Sequence, residues 1–174
     1  MTLHPPSARP LYTPEERWRR DHTAWTWVQG VLAPVQFLVF LISLVLVCRS
    51  LLWGEDSSWA ELSVVVKTCL LYAIMVTGCI WEKVVFGQYL FAPSFFWEDV
   101  VSMLVMALHT AYLVAWWHDS LSANGLMWLA LAAYATYVIN AAQFLLKLRK
   151  ARLQSQHLVD TDPTLHAHVL GDAA

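Results

Sequence analysis

Four stretches of this chain are long and apolar enough to cross a lipid bilayer, and no other feature constrains its fold so tightly. A span needs about 20 mainly apolar residues. The stretches run from Ala24 to Trp53, Leu62 to Phe86, Phe95 to Trp117 and Gly125 to Leu146. Hydrocarbon offers backbone groups no partner, so each must close its own hydrogen bonds as a helix. The expectation is an all-α integral membrane four-helix bundle. Composition agrees: 58% of the 174 residues are hydrophobic and only 14% are charged, which is too apolar for a soluble domain of this length.

The first 23 residues are rich in Pro, Arg and Glu and lack an early apolar core, so the first span itself is expected to target the chain. Arg9, Arg17, Arg19 and Arg20 precede that span, and Lys147, Arg149, Lys150 and Arg152 follow the fourth. By the positive-inside bias both termini should be cytoplasmic. Trp18, Trp25, Trp27, Trp81 and Trp97 fall near the inner interface, and Trp53, Trp59, Trp116, Trp117 and Trp128 near the outer one. Thr13-Pro14-Glu15-Glu16 reads as the start of a short interfacial helix, with Thr13 as cap. Pro34 should kink the first span. The domain reading is a tail and helix start over 1–23, one four-span domain over 24–150, and a mobile polar tail over 151–174. His157, His166 and His168 in that tail are too loosely spaced for a metal site.

The costly residues stand at the facing ends of the second and third spans. Trp81-Glu82-Lys83 and Trp97-Glu98-Asp99 are joined by the short aromatic loop 87–94. Carboxylates at such positions need a reason. The plainer readings are a snorkelling Glu82–Lys83 pair and helix-start acids capped by Ser94. The functional one is that two carboxylate clusters converge where apolar wall and water meet. Inside the spans, polar residues recur at helical spacing: Gln29, Gln36 and Ser43; Thr68, Tyr72, Met75 and Glu82; Glu98, Ser102, His109 and Tyr112; Thr136, Asn140, Gln143 and Lys147. These stripes should face inward, where they bond between helices. Lys67 is expected to snorkel outward, and Cys48, Cys69 and Cys79 serve as small apolar residues. A single core histidine argues against a transmembrane haem protein. No internal repeat, nucleotide-binding glycine motif or nucleic-acid signature is present.

Six runs carry a resemblance. They are 11–17 (LYTPEER), 27–40 (WVQGVLAPVQFLVF), 80–87 (IWEKVVFG), 91–100 (FAPSFFWEDV), 109–113 (HTAYL) and 134–145 (YATYVINAAQFL). In order and spacing they resemble the 3-vinyl bacteriochlorophyllide hydratases of bacteriochlorophyll biosynthesis, from about Leu11 to Arg152. The resemblance implies a hydro-lyase of a bacterial inner membrane, cytoplasmic or intracytoplasmic. It would add water to the C3 vinyl group of chlorophyllide a or 3-vinyl bacteriochlorophyllide. No cofactor is implied, since magnesium arrives with the substrate. The partners are the pigment, water and lipid, with neighbouring pathway enzymes or further copies of the chain as candidates.

Hydration of a conjugated vinyl group requires an acid, a placed water and a base. A carboxyl in an apolar setting suits the acid, and a neighbour that stays ionised suits the base. Glu82, Glu98 and Asp99 are the candidates, with Glu82 preferred as acid because a helix N-terminus favours ionised Glu98 and Asp99. His109, about 16 Å along its helix from Glu98, is the candidate axial ligand for substrate magnesium. Lys83 or Lys147 would pair with the ring propionate, Trp81, Trp97, Phe95 and Phe96 would pack on the macrocycle, and Asn140 and Gln143 complete the expected substrate contacts. Two alternatives stay open. A pigment-binding scaffold would use His109 and the aromatic lining without the acids, and a small ion or proton carrier would use the acids without a ring-sized pocket.

Overall fold

The computed structural model describes residues 11–161, with side chains through Leu153. Within it lie five helices: α1 (Pro14–His22), α2 (Ala24–Trp53), α3 (Ser57–Phe86), α4 (Phe96–Trp117) and α5 (Ala123–Thr161). Four of them are long and apolar enough to cross a membrane. Residues 1–10 and 162–174, and with them His166, His168 and most of the expected tail, lie outside the described residues, as does the side chain of His157.

Local chemistry sets the helix ends. Thr13 and Glu16 close a capping box, the Thr13 amide donating to Glu16 Oε2 at 2.8 Å and the Glu16 amide to Thr13 Oγ1 at 3.3 Å. Thr23 ends α1 and caps α2 in turn. Helix α2 runs through Pro34 as one element of 30 residues. It stops at Gly54, whose φ of +65° is a left-handed C-cap that suits glycine. Asp56 then caps α3 by accepting from the Ser58 amide at 3.0 Å, and that bond holds its carboxyl below the ordinary carboxylate value. The cap moves the start of α3 to Ser57, five residues before the hydropathy boundary at Leu62, because capping and helix propensity outweigh the polar Glu61.

Two other boundaries differ from expectation. Ser94 does not cap α4: Phe95 occupies that position without a side-chain cap, and Ser94 Oγ donates instead to the Leu11 carbonyl at 2.9 Å. Helix α5 passes the boundary at residue 150 and continues to Thr161. The run 147–158 holds good helix formers and no glycine or proline, and Pro163 is the first breaker.

Helix α2 packs chiefly on α3, and α4 on α5, with α2, α3 and α5 meeting in the middle. One core cluster holds Phe40, Val47, Val64, Tyr112, Met127 and Tyr134. Polar pins fix the register of this core. Gln29 Nε2 donates to Thr77 Oγ1 at 2.7 Å, and Ser43 Oγ sits 2.6 Å from Ser63 Oγ and 2.5 Å from Tyr134 Oη. Val31, Phe37, Leu38, Ile42 and Val45 face outward, the arrangement a lipid solvent requires. Trp18, Trp27, Trp53, Trp59, Trp97, Trp117 and Trp128 are exposed near helix ends, as the tryptophan belts anticipate, whereas Trp81 turns inward to donate to Thr26 Oγ1 at 2.9 Å.

Candidate active site

The site is built where the end of α3 meets the start of α4. Helix α3 stops at Gly87, φ +84°, whose amide donates to the Lys83 carbonyl at 3.1 Å while Lys83 Nζ donates to the Gly87 carbonyl at 2.7 Å. The chain then folds back through a loop in which Phe91 takes φ +59°, a left-handed conformation that a bulky residue rarely adopts. What holds it there is Asp99: the Phe91 amide donates to Asp99 Oδ2 at 2.7 Å. The next amide, of Ala92, donates to Glu82 Oε2 at 3.5 Å. Two successive backbone N–H groups thus point at two carboxylates on different helices.

The carboxyl groups of Glu82 and Asp99 also lie within electrostatic reach of each other, beside these two amides. A hydrogen bond between two carboxyl groups needs one of them to carry the hydrogen. They are 6% and 3% exposed, and Glu98 is 7% exposed, so all three acids are inside the protein rather than snorkelling from it. Glu98 has a different partner: Lys147 of α5 forms an ion pair with its Oε2. The charges of Glu98 and Lys147 both act on Asp99, so the two pairs form one electrostatic unit. One turn deeper, Asn140 Nδ2 donates to Ser102 Oγ at 2.6 Å, and Ser102 Oγ donates to the Glu98 carbonyl at 2.8 Å. Gln143, between Asn140 and Lys147 in sequence, has its Oε1 buried without a hydrogen-bond partner.

An aromatic wall encloses this end. Phe95, 2% exposed, stacks with Phe144 at 5.9 Å and meets Trp81 edge-on at 5.8 Å, and Lys147 Nζ lies 4.8 Å from its ring centroid. Tyr12, just before α1, packs against both Phe86 and Phe95, which also touch each other. Burial raises its phenol pKa, which Arg20 above the ring partly offsets. With the Ser94–Leu11 bond, Tyr12 straps the N-terminal segment over the acid-bearing end.

Of the residues expected at the site, Glu82, Asp99, Glu98, Lys147, Asn140, Gln143, Phe95 and Trp81 come together. Phe96 and Trp97 do not: they are 43% and 70% exposed at the rim, where Phe96 meets Trp97 edge-on and lies tilted against Phe91, with Lys83 on Tyr89. His109 lies elsewhere. It is fully buried, its Nδ1 bonds the Val105 carbonyl at 2.8 Å, and its Nε2 lies 2.8 Å from Lys67 Nζ, so neither ring nitrogen is free for a magnesium ion.

Lys67 corrects the expectation of snorkelling. It is 0% exposed, and its ammonium lies 4.2 Å from the Tyr137 ring centroid and 5.2 Å from that of Tyr134. With α3 starting at Ser57, Lys67 is ten residues in, about 15 Å, too deep for its stem to reach water. Tyr12 was not anticipated either, and its only signal was an isolated aromatic beside a helix cap. Among the described residues no group of three or more His, Cys, Asp and Glu side chains is placed to hold a metal ion, and the three cysteines are free.

Comparison with known proteins now names the family. The family model described as 2-vinyl bacteriochlorophyllide hydratase matches residues 12–150. The 2-vinyl bacteriochlorophyllide hydratase of Rhodobacter capsulatus is 65% identical over 150 residues, covering 86% of this chain and 87% of the relative. That of Cereibacter sphaeroides is 65% identical over 149 residues, covering 85% and 92%. No solved structure matches the chain. The family model's span includes Glu82, Glu98, Asp99 and Lys147, and the chain belongs to the 2-vinyl bacteriochlorophyllide hydratase family.

Proposed function

We propose that this chain is a membrane-embedded hydro-lyase that adds water to the vinyl group of a bacteriochlorophyllide at the end carrying Glu82, Asp99 and Glu98. The 2-vinyl group of the relatives' name and the 3-vinyl group of current ring numbering are the same substituent. The observation that carries the assignment of roles is the pairing of the acids: Glu82 with Asp99, Glu98 with Lys147. One pair holds a proton to give, and the other keeps a carboxylate ionised to receive one.

The chemistry follows from this division. The Glu82–Asp99 proton passes to the terminal vinyl carbon, leaving a cation on the carbon next to the ring, where the macrocycle delocalises it. Water bonds to that carbon, Glu98 accepts the released proton, and return of that proton to Asp99 resets the site. The vinyl group and one water become a 1-hydroxyethyl group. The net oxidation level is unchanged, so the reaction consumes no oxidant or reductant. The three carboxyl groups are the catalytic residues of this scheme. Lys147 fixes Glu98, while Phe95 and Trp81 supply apolar wall and Lys83, Phe96 and Trp97 form the rim that the ring passes. The basic flanks of α2 and α5 support placing both termini and this site on the cytoplasmic side of a bacterial inner membrane. There the ring can lie in lipid while its vinyl edge meets water.

The test is direct. Membranes containing the chain are incubated with the 3-vinyl chlorophyllide, and the products are separated by chromatography and weighed by mass spectrometry. The expected product is heavier by one water; pigment retained on the protein without that product would refute the hydratase reading in favour of a binding scaffold.

A further inference from the structure

We infer that Gln143 holds the attacking water and so decides which face of the vinyl carbon receives the hydroxyl, an inference that rests on the hydratase reading above. Gln143 Oε1 is buried and has no hydrogen-bond partner. Its neighbours on the same side of α5 are both engaged with α4, Asn140 with Ser102 and Lys147 with Glu98. The first stands three residues before it and the second four after, about 4.5 and 6 Å along the helix axis. The seam between α4 and α5 is therefore pinned on either side of Gln143, one contact before it along α5 and one after.

An amide oxygen can only accept, so what completes it must be a donor. Water fits: a small neutral donor is what an enclosed acceptor between two fixed contacts admits. A water that gives one hydrogen to Gln143 Oε1 and the other to Glu98 keeps its lone pairs free to attack. The oxygen bonds to the cationic carbon, the second hydrogen passes to Glu98 as a proton, and the first remains as the hydroxyl hydrogen. The cationic carbon is flat and its two faces give different epimers. Water fixed at one point reaches one face; water from bulk reaches both.

The experiment compares wild type, Gln143→Leu and Gln143→Glu in the vinyl pigment assay, scoring kcat, KM and the epimer ratio of the alcohol. Wild type should give one epimer in large excess. Gln143→Leu should lower kcat by about 10-fold to 100-fold, the effect of a misplaced reactant. Its KM should stay unchanged while the two epimers approach equal amounts. Gln143→Glu retains an acceptor and should restore the excess. Should the leucine variant fail to fold, Gln143→Met takes its place, and Ser63→Ala, in the other half of the bundle, is the control that keeps rate and ratio. Wild-type kcat and epimer ratio in the acceptor-free variant would overturn the inference, as would an equal mixture from wild type. A wild type that forms no alcohol overturns the hydratase reading with it, so the two failures are distinguishable.

Discussion

Replacing Asp99 by asparagine separates its two tasks. Asp99 accepts from the Phe91 amide at 2.7 Å, and in the proposed mechanism it shares a proton with Glu82. Asparagine keeps the first contact, because its amide oxygen still accepts from Phe91, and it keeps a hydrogen bond to Glu82 by donating from its amide nitrogen. It cannot carry a transferable proton. We therefore expect a folded protein, within about 1 kcal/mol of wild type, whose kcat falls by about 10² to 10⁴, the range for losing a general acid. At about 1.4 kcal/mol per tenfold, that is about 3 to 6 kcal/mol of transition-state stabilisation. Asp99→Ala removes both tasks. The Phe91 amide loses its side-chain acceptor, a cost of about 2 kcal/mol, and the loop is released from its left-handed turn. The pair of variants is read by product formation in membranes and by denaturant unfolding in detergent, followed through tryptophan fluorescence. An asparagine variant with wild-type kcat would refute the shared-proton role. So would one whose activity falls only in step with its folded fraction.

Three other outcomes follow from the geometry. Lys67→Met leaves His109 Nε2 buried without its partner, so stability should drop by about 1–3 kcal/mol while kcat for hydration stays within a few-fold; a double-mutant cycle with His109→Leu should recover part of the loss. Gly87→Ala meets no atom within 4 Å, so its cost is the left-handed backbone alone, about 1 kcal/mol, measurable by unfolding. Tyr12 ties the N-terminal strap down while its phenol is neutral, and burial raises its pKa above the ordinary tyrosine value of 10.0. The strap's contribution is complete below that value and is lost as pH rises through the raised one, so protease cleavage ahead of α1 should increase in strong alkali. Tyr12→Phe should abolish that dependence.

What could be read without the fold was local. The four spans, the Thr13 cap and the acids at the facing ends of two helices follow from hydropathy, capping and spacing, each settled within a few residues. Where local rules competed the boundaries moved: Asp56 outweighed Glu61 at the start of α3, and Ser94 left its expected cap for the Leu11 carbonyl. Lys67 was misread for the same reason, since its depth depended on where α3 begins.

The sequence by itself determined that the chain is a helical membrane protein with carboxylates gathered at one end, because bilayer thickness and backbone hydrogen bonding leave an apolar chain no other form. Only the tertiary structure decided which acid meets which partner. Polar stripes marked which face of each span turns inward but not which stripe meets which, so the packing of neighbouring helices had to set the partners. That packing brought Glu82 to Asp99, gave Glu98 to Lys147 and left the amide oxygen of Gln143 buried without a partner. It also turned Lys67 inward to His109 and carried both away from the acid-bearing end.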